Sequence, residues 1–347
     1  MNILKDAVRL NASDILITVG VPPMLRINGE LIAVEGAARL TPADTASCVK
    51  DLMQNVKDKR QFDAGSECDF SISLPHVGRF RANVFTQRGS SAVSIRRIFA
   101  TLPEPAELAI PDLVMELAAF NKGLVLVTGP TGCGKTTTLA ALINRINEER
   151  ACHILTLEDP IEYLHQHKKS IVNQREIGTD SISYQTALRS ALRQSPDVIL
   201  IGEMRDLETI SIALTAAETG HLVLSTLHTV GSAKTIDRII DVFPPAQQQQ
   251  IRVQLSTVLQ AVVSQQLLPC EDGNQIAAFE IMMMNSAIRN MIREGKTPQI
   301  DGVIQMNASS GMVTMDMSLL KLYQQNRISR QDALYYAVNP ESLARSL

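Results

Sequence analysis

Short extended runs fill the first hundred residues of this chain, and from Lys122 onward apolar runs alternate with helical patterns. In the first part, Asp14 to Val19 reads as a strand. Leu25-Arg26-Ile27 and Glu30-Leu31-Ile32 flank Asn28-Gly29, the preferred pair for a two-residue hairpin turn. Thr41-Pro42-Ala43-Asp44 has the chemistry of a helix start: a capping hydroxyl, proline at the first helical position and an acid at the third. That helix is expected to run to about Lys57. Three more extended segments follow, Asp69 to Leu74, Arg79 to Gln87 and Ala92 to Ile98. Turns are expected at Pro75-His76-Val77-Gly78 and Gly89-Ser90-Ser91. Arg79 and Arg81 alternate with Phe80, Ala82 and Val84, so they share a strand face away from the apolar one. Arg96 and Arg97 lie on the neighbouring segment. This mixture predicts a small α+β domain over residues 1–100. Pro103, Pro105 and Pro111 then mark 101–111 as an interdomain linker.

The rest, 112–347, reads differently. Strands are expected at 124–128, 153–158, 198–202, 221–227 and 276–283, and helices at 135–149, 183–194, 206–219, 232–242 and 246–267. Such alternation predicts an α/β fold: a mostly parallel sheet with helices on both faces. Beyond about Ser286 the pattern turns helical. A length of 347 residues accommodates two domains. Lys+Arg 33 against Asp+Glu 36 gives 33 − 36 = −3, which disfavours a sequence-independent grip on nucleic acid. Aromatics are only 4% and Trp is absent, so base-stacking platforms are not expected either. The cysteines Cys48, Cys68, Cys133, Cys152 and Cys270 are odd in number, with no C-x-x-C pair. That argues for reduced thiols in the cytosol and against a disulfide frame or zinc knuckle. Met1 to Asp6 lacks an apolar leader core, and no apolar run approaches a membrane span. Membrane association is therefore expected only through a partner.

The chemistry is concentrated at Gly129-Pro130-Thr131-Gly132-Cys133-Gly134-Lys135-Thr136, with Thr137 beginning the helical run. These residues match the phosphate-loop pattern G-x-x-x-x-G-K-[ST] between a buried-strand composition and a helix. Glycines let successive N–H groups turn inward onto phosphate oxygens, and the helix start adds partial positive charge there. Lys135 is expected to reach the β- and γ-phosphates of ATP, and the Thr136 hydroxyl to ligate Mg²⁺. An ordinary glycine-rich turn has no use for the Lys-Thr pair.

Three further segments narrow the reading. Leu155 to Leu157 leads into Glu158-Asp159-Pro160-Ile161-Glu162, placing three carboxylates at a strand end, where α/β folds bind ligands. Val198 to Ile201 ends in Gly202-Glu203. The usual second metal-binding element has Asp at the position of Gly202, so Glu203 must supply the carboxylate, directly or through water. Gly220-His221 opens another strand and Thr226-Leu227-His228 closes it. His228 falls at the carboxyl end with the other chemistry and is a candidate γ-phosphate sensor. His221 is a weaker candidate.

Taken in order, Gly129 to Thr136, Glu158 to Glu162, Gly202-Glu203-Met204-Arg205-Asp206 and Thr219 to His228 resemble the Walker A, Asp box, Walker B and His box of the type II/IV secretion ATPases. Ala287-Ile288-Arg289-Asn290-Met291-Ile292-Arg293-Glu294 resembles the AIRNLIRE signature of the type IV pilus retraction group within that family, with Met291 in place of Leu. The resemblance covers essentially the whole chain. It implies a PAS-like N-terminal domain, a RecA-like ATPase domain, a homohexameric ring and work at the cytoplasmic face of the inner membrane. The expected partner there is the inner-membrane pilus platform protein. The extension and type II secretion ATPases are the alternative within the family; they are typically longer and carry a four-cysteine insertion. A RecA-like nucleic-acid motor and a non-enzymatic nucleotide-binding module are more remote.

Glu162 is the first candidate for orienting and deprotonating the attacking water, and Glu158 the second. Transition-state charge calls for arginines. The resemblance points to Arg81 and Arg96, ahead of Arg79 and Arg97, and to Arg238. The segment from Ala287 to Glu294 spaces Ala287, Ile288, Met291 and Ile292 as an apolar helix stripe. Arg289, Arg293 and Glu294 are left on a charged face open to partners.

Overall fold

The computed structural model describes residues 2–27, 29–53, 67–74, 77–98, 104–270 and 274–347. The chain forms two compact units, one of Met1–Thr101 with Glu162–Leu164, the other of Leu102–Ile161 with His165–Leu347.

The first unit is an antiparallel sheet in the order β3-β2-β1-β6-β5-β4. Its strands are β1 (Asp14–Ile17), β2 (Met24–Ile27), β3 (Glu30–Ala33), β4 (Cys68–Leu74), β5 (Gly78–Gln87) and β6 (Ser90–Ile98), with helices α1 (Asn2–Arg9) and α2 (Pro42–Leu52). Phe80, Ala82 and Val84 are fully buried, packing with Ile15, Ile95 and Leu25 of the sheet and Leu4 and Val49 of the helices. On the other face the register sets Asp14 opposite both Arg26 and Arg96, and Arg96 opposite Arg81. The start of α2 is the expected capping box, with the Thr41 N–H donating to Asp44 Oδ2 at 2.8 Å and the Asp44 N–H to Thr41 Oγ1. Residues 54–57 of that expected helix, Asn28 of the hairpin and Pro75-His76 of the next turn lie outside the described residues. The β5–β6 turn is Arg88-Gly89, one residue earlier than expected. Gln87 and Ser90 are already paired, and both turn residues take positive φ, 50° and 75°.

The second unit is a seven-stranded sheet in the order β13-β12-β7-β11-β10-β8-β9, parallel except for the edge strand β13. Its strands are β7 (Gly123–Thr128), β8 (His153–Glu158), β9 (Ile171–Glu176), β10 (Val198–Ile201), β11 (Leu222–Leu227), β12 (Leu259–Pro269) and β13 (Gln275–Met283). The helices are α3 (Asp112–Glu116), α4 (Lys135–Glu149), α5 (Tyr184–Ala191), α6 (Leu207–Glu218), α7 (Ser232–Asp241), α8 (Pro245–Val258), α9 (Ser286–Glu294), α10 (Ile300–Met306), α11 (Met315–Gln324), α12 (Arg330–Tyr336) and α13 (Pro340–Ala344). Alternation on the central strand divides the core. Val125 and Val127 pack toward α3 and α4, while Leu124 and Leu126 pack toward α5 to α8.

Two elements differ from the sequence reading. The helix expected over 246–267 ends at Val258, and Leu259–Pro269 is the strand β12. This strand is covered on both faces, so its apolar residues show no alternation that separates a strand from a buried helix. Strand β9, Ile-Val-Asn-Gln-Arg-Glu, is a sheet edge whose polar composition hides it.

One buried carboxylate joins distant parts of this unit. Glu280 on β13 accepts from the Ser232 N–H at 2.6 Å, the Ser232 hydroxyl at 2.7 Å and the Met315 N–H at 3.3 Å. It supplies the acceptor that the preceding residue, Gly231, lacks at the start of α7, and it meets the first residue of α11 as well. Burial pushes its carboxyl up from the usual range, against the Ser232 hydrogen bonds.

Candidate active site

Because β7, β8, β10 and β11 run parallel, their carboxyl ends share one edge of the sheet. The loop after β7 turns sharply at Gly129 (φ 140°) and Gly134 (φ 90°). Both positive φ values favour glycine, and at Gly129 backbone blocks a side chain outright. A Cβ at Gly129 would sit 2.1 Å from the Gln265 carbonyl oxygen, and one at Gly134 would sit 2.8 Å from Gln265 Nε2. Lys135 opens α4 and is buried. Its ammonium donates to the carbonyls of Gly129 and Pro130, each at 2.8 Å, so the charge is held inside the loop that the sequence assigns to phosphate. Thr136 and Thr137 follow on the first turn, half-buried. Burial pushes the Cys133 thiol up, with nearby Lys135 opposing.

Glu158 ends β8 and is buried, accepting from the Thr156 hydroxyl at 2.6 Å and the Gln174 amide at 3.1 Å. Asp159 and Glu162 beyond it are exposed. Gly202 directly follows β10, and the reason for its missing carboxylate is steric. A Cβ there would meet Tyr184 Oη at 2.8 Å and the Leu157 carbonyl oxygen at 3.3 Å. The acid therefore moves one residue on. Glu203 meets Arg205 at 2.6 Å and His228 Nε2 at 3.3 Å. His228 Nδ1 in turn lies 3.5 Å from Thr131 Oγ1 in the phosphate loop. One tautomer serves both contacts, with Nε2–H donating to Glu203 and Nδ1 accepting from the threonine hydroxyl.

The sheet edge thus brings together the phosphate loop, Glu158, Glu203 and His228. His221 lies at the other end of β11, roughly 20 Å away at strand rise, with Nδ1 2.9 Å from the Ala216 carbonyl of α6. Arg238 is exposed on α7. Arg81 and Arg96 belong to the first unit, where Arg81 faces Asp69 at 3.6 Å and Arg96 bonds Asp14 at 2.9 Å. Among the described residues no cluster of three His, Cys, Asp or Glu side chains could hold a metal alone. Among the described residues no helix is long and apolar enough to cross a membrane.

Helix α9 corrects one expectation. Ile288 and Ile292 are buried and Met291 packs beside them, but Ala287 is exposed. Arg289 does not stand free. It donates to the carbonyls of Ser256 at 2.5 Å and Thr257 at 3.1 Å, near the carboxyl end of α8. Two residues at the site carried no sequence signal. Gln265 falls in the segment whose pattern predicts a helix and which forms β12. Tyr184 is placed by tertiary packing alone; burial and the carboxylates of Asp159, Glu203 and Glu158 hold its phenol well above the usual range, hence protonated.

Comparison with known proteins fits this arrangement. The chain matches the family described as Type II/IV secretion system protein over residues 1–335, and it belongs to that family. It is 49% identical over 324 residues to a twitching motility protein of Neisseria gonorrhoeae, covering 93% of this chain and 86% of that one. It is 46% identical over 345 residues to the type IV pilus retraction ATPase PilT of Pseudomonas aeruginosa, covering 98% of each. Among solved structures, the pilus retraction motor PilT with bound ADP superposes at a TM-score of 0.92 and 49% identity, over 99% of this chain and 98% of that one. The fold is accordingly α/β, a small amino-terminal domain followed by a RecA-like ATPase domain.

Proposed function

We propose that this chain is an ATP-hydrolysing motor that powers retraction of type IV pili, and hence twitching motility. The observation that carries the chemistry is the contact chain Thr131–His228–Glu203, which ties the phosphate loop to the acidic strand end. Family membership along nearly the whole chain carries the motor reading.

The loop from Gly129 to Thr137 receives the phosphates on N–H groups between Thr131 and Thr137, since Pro130 has none and that of Gly129 donates to the Leu227 carbonyl, and Lys135 exchanges the Gly129 and Pro130 carbonyls for β- and γ-phosphate oxygens. Thr136 and Glu203 offer hard oxygen donors that suit Mg²⁺ shared with substrate phosphates. When bound, that ion supplies charge neutralisation on the β- and γ-oxygens. Glu162 orients and deprotonates the attacking water, with Glu158 as second choice. His228 exchanges its Nε2–H bond to Glu203 for one to the γ-phosphate. Arg81, Arg96 and Arg238 neutralise developing charge within a homohexameric ring. The ring acts at the cytoplasmic face of the inner membrane through the pilus platform protein and not through nucleic acid.

Lys135→Ala is expected to abolish ATP turnover, and Glu203→Ala to lower it on the order of 10²-fold or more, both read as phosphate release. Near-normal turnover in Lys135→Ala would sink the enzyme reading. Deleting the protein is expected to leave cells with excess immobile pili; cells with no pili would point to extension instead.

A further inference from the structure

Strand β12 carries three consecutive buried polar residues, Ser264, Gln265 and Gln266, in a position where a strand covered on both faces is normally apolar. Burying such groups is costly unless each is bonded. Alternation sends them to opposite faces. Ser264 accepts from the Gly231 N–H at 2.9 Å, and Gln266 donates to the Tyr336 carbonyl at 3.0 Å. Gln265 points the other way, toward α4. Its Oε1 accepts from the Thr138 hydroxyl at 2.8 Å, its Nε2 lies against Gly134, and its backbone carbonyl lies against Gly129. One residue therefore touches both ends of the loop that the glycines open and also the first turn of the helix that follows.

Resting on the reading of this loop as the ATP site, we propose that Gln265 is a positioning residue for the nucleotide. It fixes the loop from behind, so that the backbone N–H groups and Lys135 are already aimed when phosphates arrive. The amide suits the task because it has two different ends. Its oxygen anchors α4 through Thr138, and its nitrogen fills the space left by the absent side chain of Gly134. An apolar residue of similar volume fills the space without the anchor. The Thr138 hydroxyl then falls back on a carbonyl of its own helix.

The test is ADP affinity with Mg²⁺, measured by titration calorimetry on the whole protein, with the melting temperature of the nucleotide-free protein and the steady-state constants alongside. Gln265→Met is expected to weaken ADP and raise KM for ATP about tenfold or more, with kcat changed far less. Thr138→Val shifts affinity in the same direction, and the double variant is no weaker than Gln265→Met alone, since both remove one contact. Gln265→Glu is close to isosteric when protonated and adds a negative charge behind the loop when ionised. The other titratable groups of the loop are Cys133 and Lys135. ADP affinity of Gln265→Glu relative to the wild type is therefore expected to fall at pH 8 and recover toward pH 5.5. A flat ratio would mean that the side chain at 265 does not reach the phosphate-binding loop, and it overturns the proposal even if Gln265→Met fails to fold. Unchanged ADP affinity in Gln265→Met, with only its melting temperature lowered, also overturns it. Unchanged ADP affinity in Lys135→Ala overturns the ATP-site reading, and the role of Gln265 with it.

Discussion

Single residues at the active edge show what a sequence can and cannot tell. The glycine-rich loop after β7 stands out in the sequence because its pattern is local: the glycines, Lys135 and Thr136 are neighbours along the chain. Gly202 is legible as a departure from the usual acid but not as a necessity, because the obstacle, Tyr184 Oη, comes from α5, a separate element. Gly202→Ala is expected to destabilise the protein by about 1 kcal/mol or more, because the added methyl overpacks a tight site. Much of that loss should disappear when the phenol oxygen is removed in Tyr184→Phe. Chemical denaturation of the two single variants and the double decides it. A cost that is the same in both backgrounds means that the hydroxyl is not what excludes a side chain.

At the scale of elements, the buried strands β7, β8, β10 and β11 were legible because turn signals bound them, whereas β12, which continues directly from α8, and the polar edge strand β9 were not. β12 lacks a polar face, so its period could not be told from that of α8, which precedes it, and Gln265 went unseen for that reason. Helix α9 shows the converse. Its spacing located Ile288 and Ile292 correctly but could not reveal that Arg289 reaches across to α8. An arginine on the last carbonyls of a helix is both a cap and a favourable charge at the negative end of its dipole. Arg289→Ala is therefore expected to cost about 1 kcal/mol, whereas Arg293→Ala stays within about ±0.5 kcal/mol as an exposed change. Thermal melts of the two variants test the contrast. Equal melting temperatures would mean that the bonds to Ser256 and Thr257 contribute nothing net.

At the scale of the molecule, the two units and the alternating order of the second were readable from pattern, while the closure of the large sheet was not. The central strand β7 lies between β11 and β12, so one of its neighbours arrives more than a hundred residues later in the chain. Glu280 extends that dependence further. A chain stopped after Gly311 keeps every phosphate-loop residue, yet it leaves the Met315 contact unmade and uncovers Leu268, Ile276 and Ala278. It is expected to give little soluble protein and no ADP binding; normal yield and affinity would show that the terminal helices are dispensable. The same carboxylate also sets an order of events during synthesis. Ser232 precedes Glu280 by 48 positions and Met315 follows it by 35. At about 5–20 residues per second, roughly 2–7 s separate the appearance of Glu280 from that of its last donor. Until then the nascent ATPase unit carries a half-paired carboxylate and an open apolar edge, which makes this interval the one in which a chaperone, or a neighbouring ribosome's product, has most to bind.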